Sequence, residues 1–311
     1  MFFAMSGFLI AKSWSEQPHL APFAVKRGLR LIPALVVAVS VTVFVVGPLF
    51  TVLPLSSYFA DPTTWFYLLR CSFLITIFGK LPGVFATNPY PHAVNGSLWT
   101  LPVEACCYAM AAALGSLGLL RRSRVLLAFA VLLVLCVTPL SPLSIAPAGG
   151  TTSGNLPLVI LLGATFVFGS LAYSLRARLH LSWSIAAALM ALWIVTWGGD
   201  WARATGILAI AFAVLVLAFR TPARLRRLTA HGDVSYGIYI YAFPVQQSVA
   251  AIWGAIDPLL MTAIAFPVTY GLAFLSWRLV ERPALALKRL VASRPPEPAP
   301  VVRVGAPKPS S

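Results

Sequence analysis

Long apolar runs, most near the length that crosses a bilayer, recur from one end of this chain to the other, separated by short loops that are mostly rich in arginine. A helix needs about 20 apolar residues to cross the hydrocarbon, and only helices and closed barrels satisfy their backbone there. The runs lack the strict alternation of barrel strands, so they read as helices. Composition agrees. The chain is 59% hydrophobic and 10% charged, whereas a soluble domain is about 25% charged. The expected fold is an all-α polytopic membrane protein.

Residues 31–53, 97–120, 125–143, 156–175, 182–197, 204–219, 234–256 and 259–280 each read as a span, the first of them broken by Pro33 and Pro48. Residues 1–14 form a shorter run, about 21 Å long as a helix. Residues 64–79 are also apolar, but short and interrupted by Arg70. If this segment dips into the membrane without crossing, the loops sort by charge. One side receives every one of the 23 basic residues except Arg70, Lys80 and Arg203, and the other receives Asp61, Asp200 and Asp257. If it crosses, Arg121, Arg122 and Arg124 fall on the wrong side. The positive-inside rule therefore predicts about nine transmembrane helices plus one non-crossing segment, with the basic side and the C-terminus cytoplasmic. Met1 then starts on the outer side, which leads us to expect a further crossing ahead of it. Residues 1–291 read as one membrane domain, and 292–311 as a disordered, Pro-rich cytoplasmic tail.

The net charge of +15 belongs to these loops. It argues for contact with anionic membrane lipids and against a nucleic-acid partner. Cys71, Cys106, Cys107 and Cys136 have no metal-ligand spacing and read as apolar fillers. No zinc, P-loop, GxSxG or dinucleotide fingerprint is present.

Three stretches carry chemistry. In Ser97–Tyr108 the carboxylate of Glu104 lies inside an apolar run. A charge at that depth is costly and marks a functional site or a structural pair with a neighbouring Arg, Lys or Tyr. Tyr108 is four residues on, so its phenol can reach Glu104. Lys26, Arg27 and Arg30 precede Pro33. Arg27 and Arg30 share a helix face and suit a polyphosphate, although loop arginines also serve topology alone. In His231–Pro244, Ser235 and Tyr239 share a face and Tyr236 adds a hydroxyl, although tyrosines at the head of a span also form interfacial belts. His231 beside Asp233 looks like half a triad but reads more simply as a loop histidine. Arg278 and Glu281, three apart, are expected to pair. The four histidines all fall in predicted loops.

In combination these motifs resemble those of the membrane acyltransferase family 3, bacterial O-acyltransferases of surface glycans and small molecules. Phe2-Phe3-Ala4-Met5-Ser6-Gly7-Phe8-Leu9-Ile10 looks like the family's second helix. Arg27-Gly28-Leu29-Arg30-Leu31-Ile32-Pro33 looks like the entry to its third. Ser97 through Glu104 with Tyr108, Ser235-Tyr236-Gly237-Ile238-Tyr239 and the closing Glu281-Arg282-Pro283 follow in family order. The resemblance implies a ten-helix core in the bacterial inner membrane, here without its first helix and without the histidine that helix carries. It implies no bound cofactor, with acetyl-CoA or another acyl-CoA as donor, met by Arg27 and Arg30 with Lys26 beside them. It implies a glycan or lipid-linked sugar as acceptor, and Glu104, Tyr108, Ser235 and Tyr239 in the catalytic site. The absent histidine leaves open a non-catalytic carrier, or a degenerate acyltransferase that binds lipid or sugar.

Overall fold

A computed structural model describes residues 1–75, 79–136, 156–221 and 233–288. Among them the chain is helical, with no strand and one isolated bridge, between Thr51 and Val84. The helices are α1 (Phe2–Glu16), α2 (Leu20–Val41, continued to Phe50), α3 (Leu55–Ala60), α4 (Pro62–Ser72), α5 (Thr100–Ser116) and α6 (Ser123–Leu135). There follow α7 (Leu156–Ser174), α8 (Trp183–Val195), α9 (Ala202–Arg220), α10 (Ser235–Trp253) and α11 (Pro258–Ser276, continued to Ala286). Among the described residues four stretches are long and apolar enough to cross a membrane alone: Leu20–Phe50, Leu156–Ser174, Ala202–Arg220 and Pro258–Ala286. The protein is a polytopic membrane protein. The expected tail lies outside the described residues.

Helix starts follow the sequence. Asp61 and Asp257, each followed by proline, cap α4 and α11. Asp61 Oδ1 accepts from Thr63 N at 2.8 Å and Asp257 Oδ1 from Leu259 N at 2.8 Å. Helix α4 has 11 residues, about 16 Å of rise, too little to cross.

Two glycines set the closest helix pair. A Cβ on Gly7 of α1 would lie 1.9 Å from the Phe166 carbonyl of α7, and one on Gly169 would lie 2.0 Å from that of Ala4. Ser170 Oγ donates across the seam to Gly7 O at 3.1 Å. Packing at small residues with a cross-helix hydrogen bond is how helices associate where lipid is as apolar as the partner.

Proline does not break the second helix as expected. Pro33 sits inside α2, and Pro48 is preceded by a π turn, Thr42–Val46. Gly47 N donates to Thr42 O, five residues back. Val43 O is thereby freed, since Pro48 has no N–H to offer. The buried Tyr58 hydroxyl donates to it at 2.9 Å. Pro244 likewise frees Ile240 O in α10, and Asn95 Nδ2 donates to that carbonyl at 2.8 Å. Neighbouring side chains thus take up the freed backbone groups, as a membrane interior requires.

The same bonds explain residues 79–99. The Lys80–Asn95 part of this stretch is rich in Gly, Pro and Asn and from the sequence reads as an outer loop. It is instead packed against the bundle, with Leu81, Val84, Phe85 and Val94 all buried. Gln247 of α10 pins it through Nε2 to Tyr90 O (2.8 Å) and Ala93 O (2.6 Å), and Asn88 Nδ2 donates to Gln247 Oε1 at 3.0 Å.

Candidate active site

The main core brings α1, α2, α5 and α10 together, and Glu104 on α5 and Arg27 on α2 face one another within reach of charge. Glu104 is 2% exposed on α5. Tyr108, one turn on, donates its phenol hydrogen to Glu104 Oε1, as the i, i+4 spacing predicts. Ser6 Oγ of α1 donates to the Tyr108 hydroxyl at 3.5 Å. The Arg27 guanidinium lies 5.8 Å from the centre of the Tyr108 ring and donates from Nη2 to Ser13 Oγ at 2.9 Å, while its Nε has no partner. Tyr108 therefore meets the buried carboxylate directly, Ser6 and Arg27 meet Tyr108, and Ser13 holds Arg27.

Arg30 is held differently. Its Nη2 donates to Asp233 Oδ2 at 2.5 Å, and its Nη1 lies 3.7 Å from Glu281 Oε2. Glu281 is 2% exposed. A second π turn, Trp277–Glu281, carries it, with Arg282 N donating to Trp277 O. The expected pairing of Arg278 with Glu281 is corrected here. The π turn rotates Glu281 inward to Arg30, and Arg278 lies over the Phe274 ring at 5.3 Å. Partial burial pushes the Asp233 carboxyl up, but hydrogen bonds from Ser235 and the charge of Arg30 outweigh it, so Asp233 stays below the usual carboxylate range.

Other predicted residues are placed as follows. Ser235 Oγ donates to Asp233 Oδ1 at 2.5 Å at the head of α10. Tyr239 is 38% exposed, donates to Ser97 O at 2.7 Å and shares a hydrogen bond with Thr100, tying α10 to the start of α5. Lys26 donates to Gln17 Oε1. Among the described residues the histidines lie in loops or at a helix start, and His231 lies outside the described residues.

Sequence reasoning missed three participants, Ser6, Ser13 and Lys288, and gave Tyr236 only as an added hydroxyl. Ser6 and Ser13 are seven apart on α1, hence on one face, a signal that was available. Tyr236 is buried, donates to Leu31 O at 3.0 Å and has the Arg30 guanidinium 6.0 Å from its ring centre. Lys288 lies beyond α11. Burial first, and then repulsion from Arg27, Arg30 and Lys26, lowers its ammonium pKa. Lys26, Arg27, Arg30 and Lys288 thus lie close enough to repel one another, a cluster suited to several phosphate oxygens.

A profile of the acyltransferase domain family matches residues 1–278. The chain belongs to the acyltransferase 3 family. It is 29% identical over 293 residues to a protein named O-acetyl transferase from Shigella phage Sf6, covering 91% of this chain and 82% of the relative. It is 29% identical over 328 residues to Nodulation protein 10 of Rhizobium leguminosarum bv. viciae, covering 94% of this chain and 83% of the relative. No solved structure matches it. Membership makes the protein a multi-pass membrane acyltransferase, an enzyme that transfers groups other than amino-acyl groups, and sets aside the carrier reading.

Proposed function

We propose that this acyltransferase is an O-acetyltransferase that moves acetyl from acetyl-CoA, entering at the mouth of Lys26, Arg27, Arg30 and Lys288, to a sugar hydroxyl of a surface glycan. The observation that carries this reading is the buried Glu104–Tyr108 pair beside Arg27, itself one of those four cations. The cations suit the donor's phosphates. The phage relative's name supports acetyl as the group transferred, and the glycan follows from the family resemblance. The enzyme would sit in the bacterial inner membrane with the cationic mouth and the C-terminus in the cytoplasm.

The chemistry follows from the residues. The acceptor hydroxyl gives its proton to Glu104 as its oxygen bonds the thioester carbonyl carbon. As Glu104 takes that proton, the Tyr108 hydroxyl hydrogen it had held is freed to turn to the charge that develops on the carbonyl oxygen. The C–S bond then breaks, and the proton leaves with the CoA thiol. Arg30 is already matched by Asp233 and Glu281 and, besides adding its charge to that mouth, positions α2.

Glu104→Gln keeps shape and loses the base. In membranes supplied with radiolabelled acetyl-CoA, label on the glycan is expected to fall by about 10²–10⁴-fold, the contribution of a general base. Inserted protein stays at the wild-type level. Undiminished label would overturn the assignment.

A further inference from the structure

The end of the molecule away from Arg27 and Arg30 carries a second concentration of polar groups. Helix α2 and its continuation rise about 30 Å between Arg30 and Phe50. Thr51 then meets the 79–99 segment, its Oγ1 donating to Pro82 O at 2.8 Å. Two adjoining clefts of about 400 and 450 Å³ open there, and both are lined by Gly79, Lys80 and His92. The first adds Arg70, Thr63 and Tyr67. The second reaches Tyr90, Asn95 and Trp99. Together they form one groove from Arg70 to Trp99.

Its charge is unbalanced. Among the described residues no carboxylate pairs with Arg70 or Lys80. The nearby Asp61 is engaged by the backbone and hydroxyl of Thr63. Arg70 lies over the Phe66 ring at 5.1 Å. Tyr67 is 3% exposed, and its hydroxyl has no partner. At the other end, by contrast, Arg30 is met by two acids. Two cations and an imidazole facing a groove without an anion are built for an anion supplied from outside. Tyr90 and Trp99 add flat faces of the kind that carry a sugar ring. Trp99 is also the residue before α5, and Glu104 lies about 7 Å further along that helix.

We propose that this groove seats the acceptor, and that the acceptor is a glycan bearing an oxyanion. Arg70 and Lys80 hold a carboxylate or phosphate, the sugar lies against Trp99, and its hydroxyl extends toward Glu104. This rests on acyl transfer to a sugar as proposed above. It adds a charge requirement on the acceptor and names the residues that impose it.

The test is binding to the full chain in uncharged detergent micelles, with three probes: hexagalacturonate, maltohexaose and a polyprenyl diphosphate. Wild type is expected to bind an anionic probe and to prefer hexagalacturonate to maltohexaose. The double variant R70Q/K80Q should weaken that binding by roughly tenfold or more, and R70K/K80R should keep it. High salt should weaken it as well. Binding of hexagalacturonate places the anion on the sugar. Binding of the diphosphate alone places it on a lipid carrier. Binding of neither, or binding that R70Q/K80Q leaves within about twofold of wild type, overturns the proposal. Glu104→Gln separates the two readings. It should abolish transfer and leave anion binding intact. Anion binding lost in R70Q/K80Q while Glu104→Gln still transfers would sink the catalytic assignment and leave the groove standing.

Discussion

Among the described residues there are two π turns, each ending two residues before a proline, and they do opposite work. Thr42–Val46 precedes Pro48, and Trp277–Glu281 precedes Pro283. In the first, what matters is a backbone group. The freed carbonyl of Val43 is taken by Tyr58, whose hydroxyl presses so close to Gly47 that a Cβ there would lie 2.0 Å from it. In the second, what matters is a side chain. The widened turn delivers Glu281 into the interior, where it meets Arg30. Proline alone does not make such a turn, because Pro33, Pro244 and Pro267 sit in helices that keep their α form. The difference teaches that one backbone device serves packing at one end of the molecule and the placement of charge at the other.

The largest effect is expected at the second turn. Glu281→Ala removes a carboxylate that is 2% exposed and leaves Arg30 with the half-exposed Asp233 alone. Breaking a buried pair costs about 3–5 kcal/mol, and the surviving partner puts this case near the lower end. Thermal unfolding in detergent should show the loss. Because Arg30 fixes α2 beside the donor mouth, KM for acetyl-CoA should rise more than kcat falls. Wild-type stability and KM would mean that the two turns are equivalent.

A smaller, purely structural effect is expected at the first turn. Tyr58→Phe orphans Val43 O in a fully buried site, which costs about 1–3 kcal/mol. Transfer should be unchanged. Adding Pro48→Ala supplies an N–H five residues beyond Val43, in π register with its carbonyl, so the double variant should recover much of the loss. Failure of that rescue would show that Tyr58 stabilises by packing and not through the carbonyl.

The same contrast marks what was legible in the sequence. Glu104, Tyr108 and Arg27 could be read because their relations are local: a carboxylate in an apolar run, a phenol at i+4, two arginines at i and i+3. The acids on Arg30 could not. Asp233 is 203 residues away from it, and Glu281 faces inward only because a π turn displaces it from the i, i+3 register that pointed to Arg278. The charge rule identified the segment around α4 as non-crossing because it counts loops rather than shapes. It could not show that residues 79–99 pack against the bundle. Their Gly, Pro and Asn content signals a loop, whereas the groups that bury them, Gln247 and Ile240 O, lie on a helix far along the chain.

The smallest effect distinguishes the two acids on Arg30. Asp233 is half exposed, and its ion pair with Arg30 is therefore screened and worth below about 1 kcal/mol. Its carboxyl sits below the usual range in the folded protein. Its contribution is therefore fully present above the unfolded carboxylate value, about 3.9, and is lost as pH falls through the lower folded value. Asp233→Asn should thus destabilise slightly at neutral pH, and the difference from wild type should shrink on acidification below that value. Added salt should shrink it at neutral pH too, while the Glu281→Ala defect persists, since a pair with one partner 2% exposed is poorly screened. Equal salt sensitivity of the two variants would mean that Glu281 is reached by water, and that the second turn presents its carboxylate to a hydrated channel rather than to a packed interior.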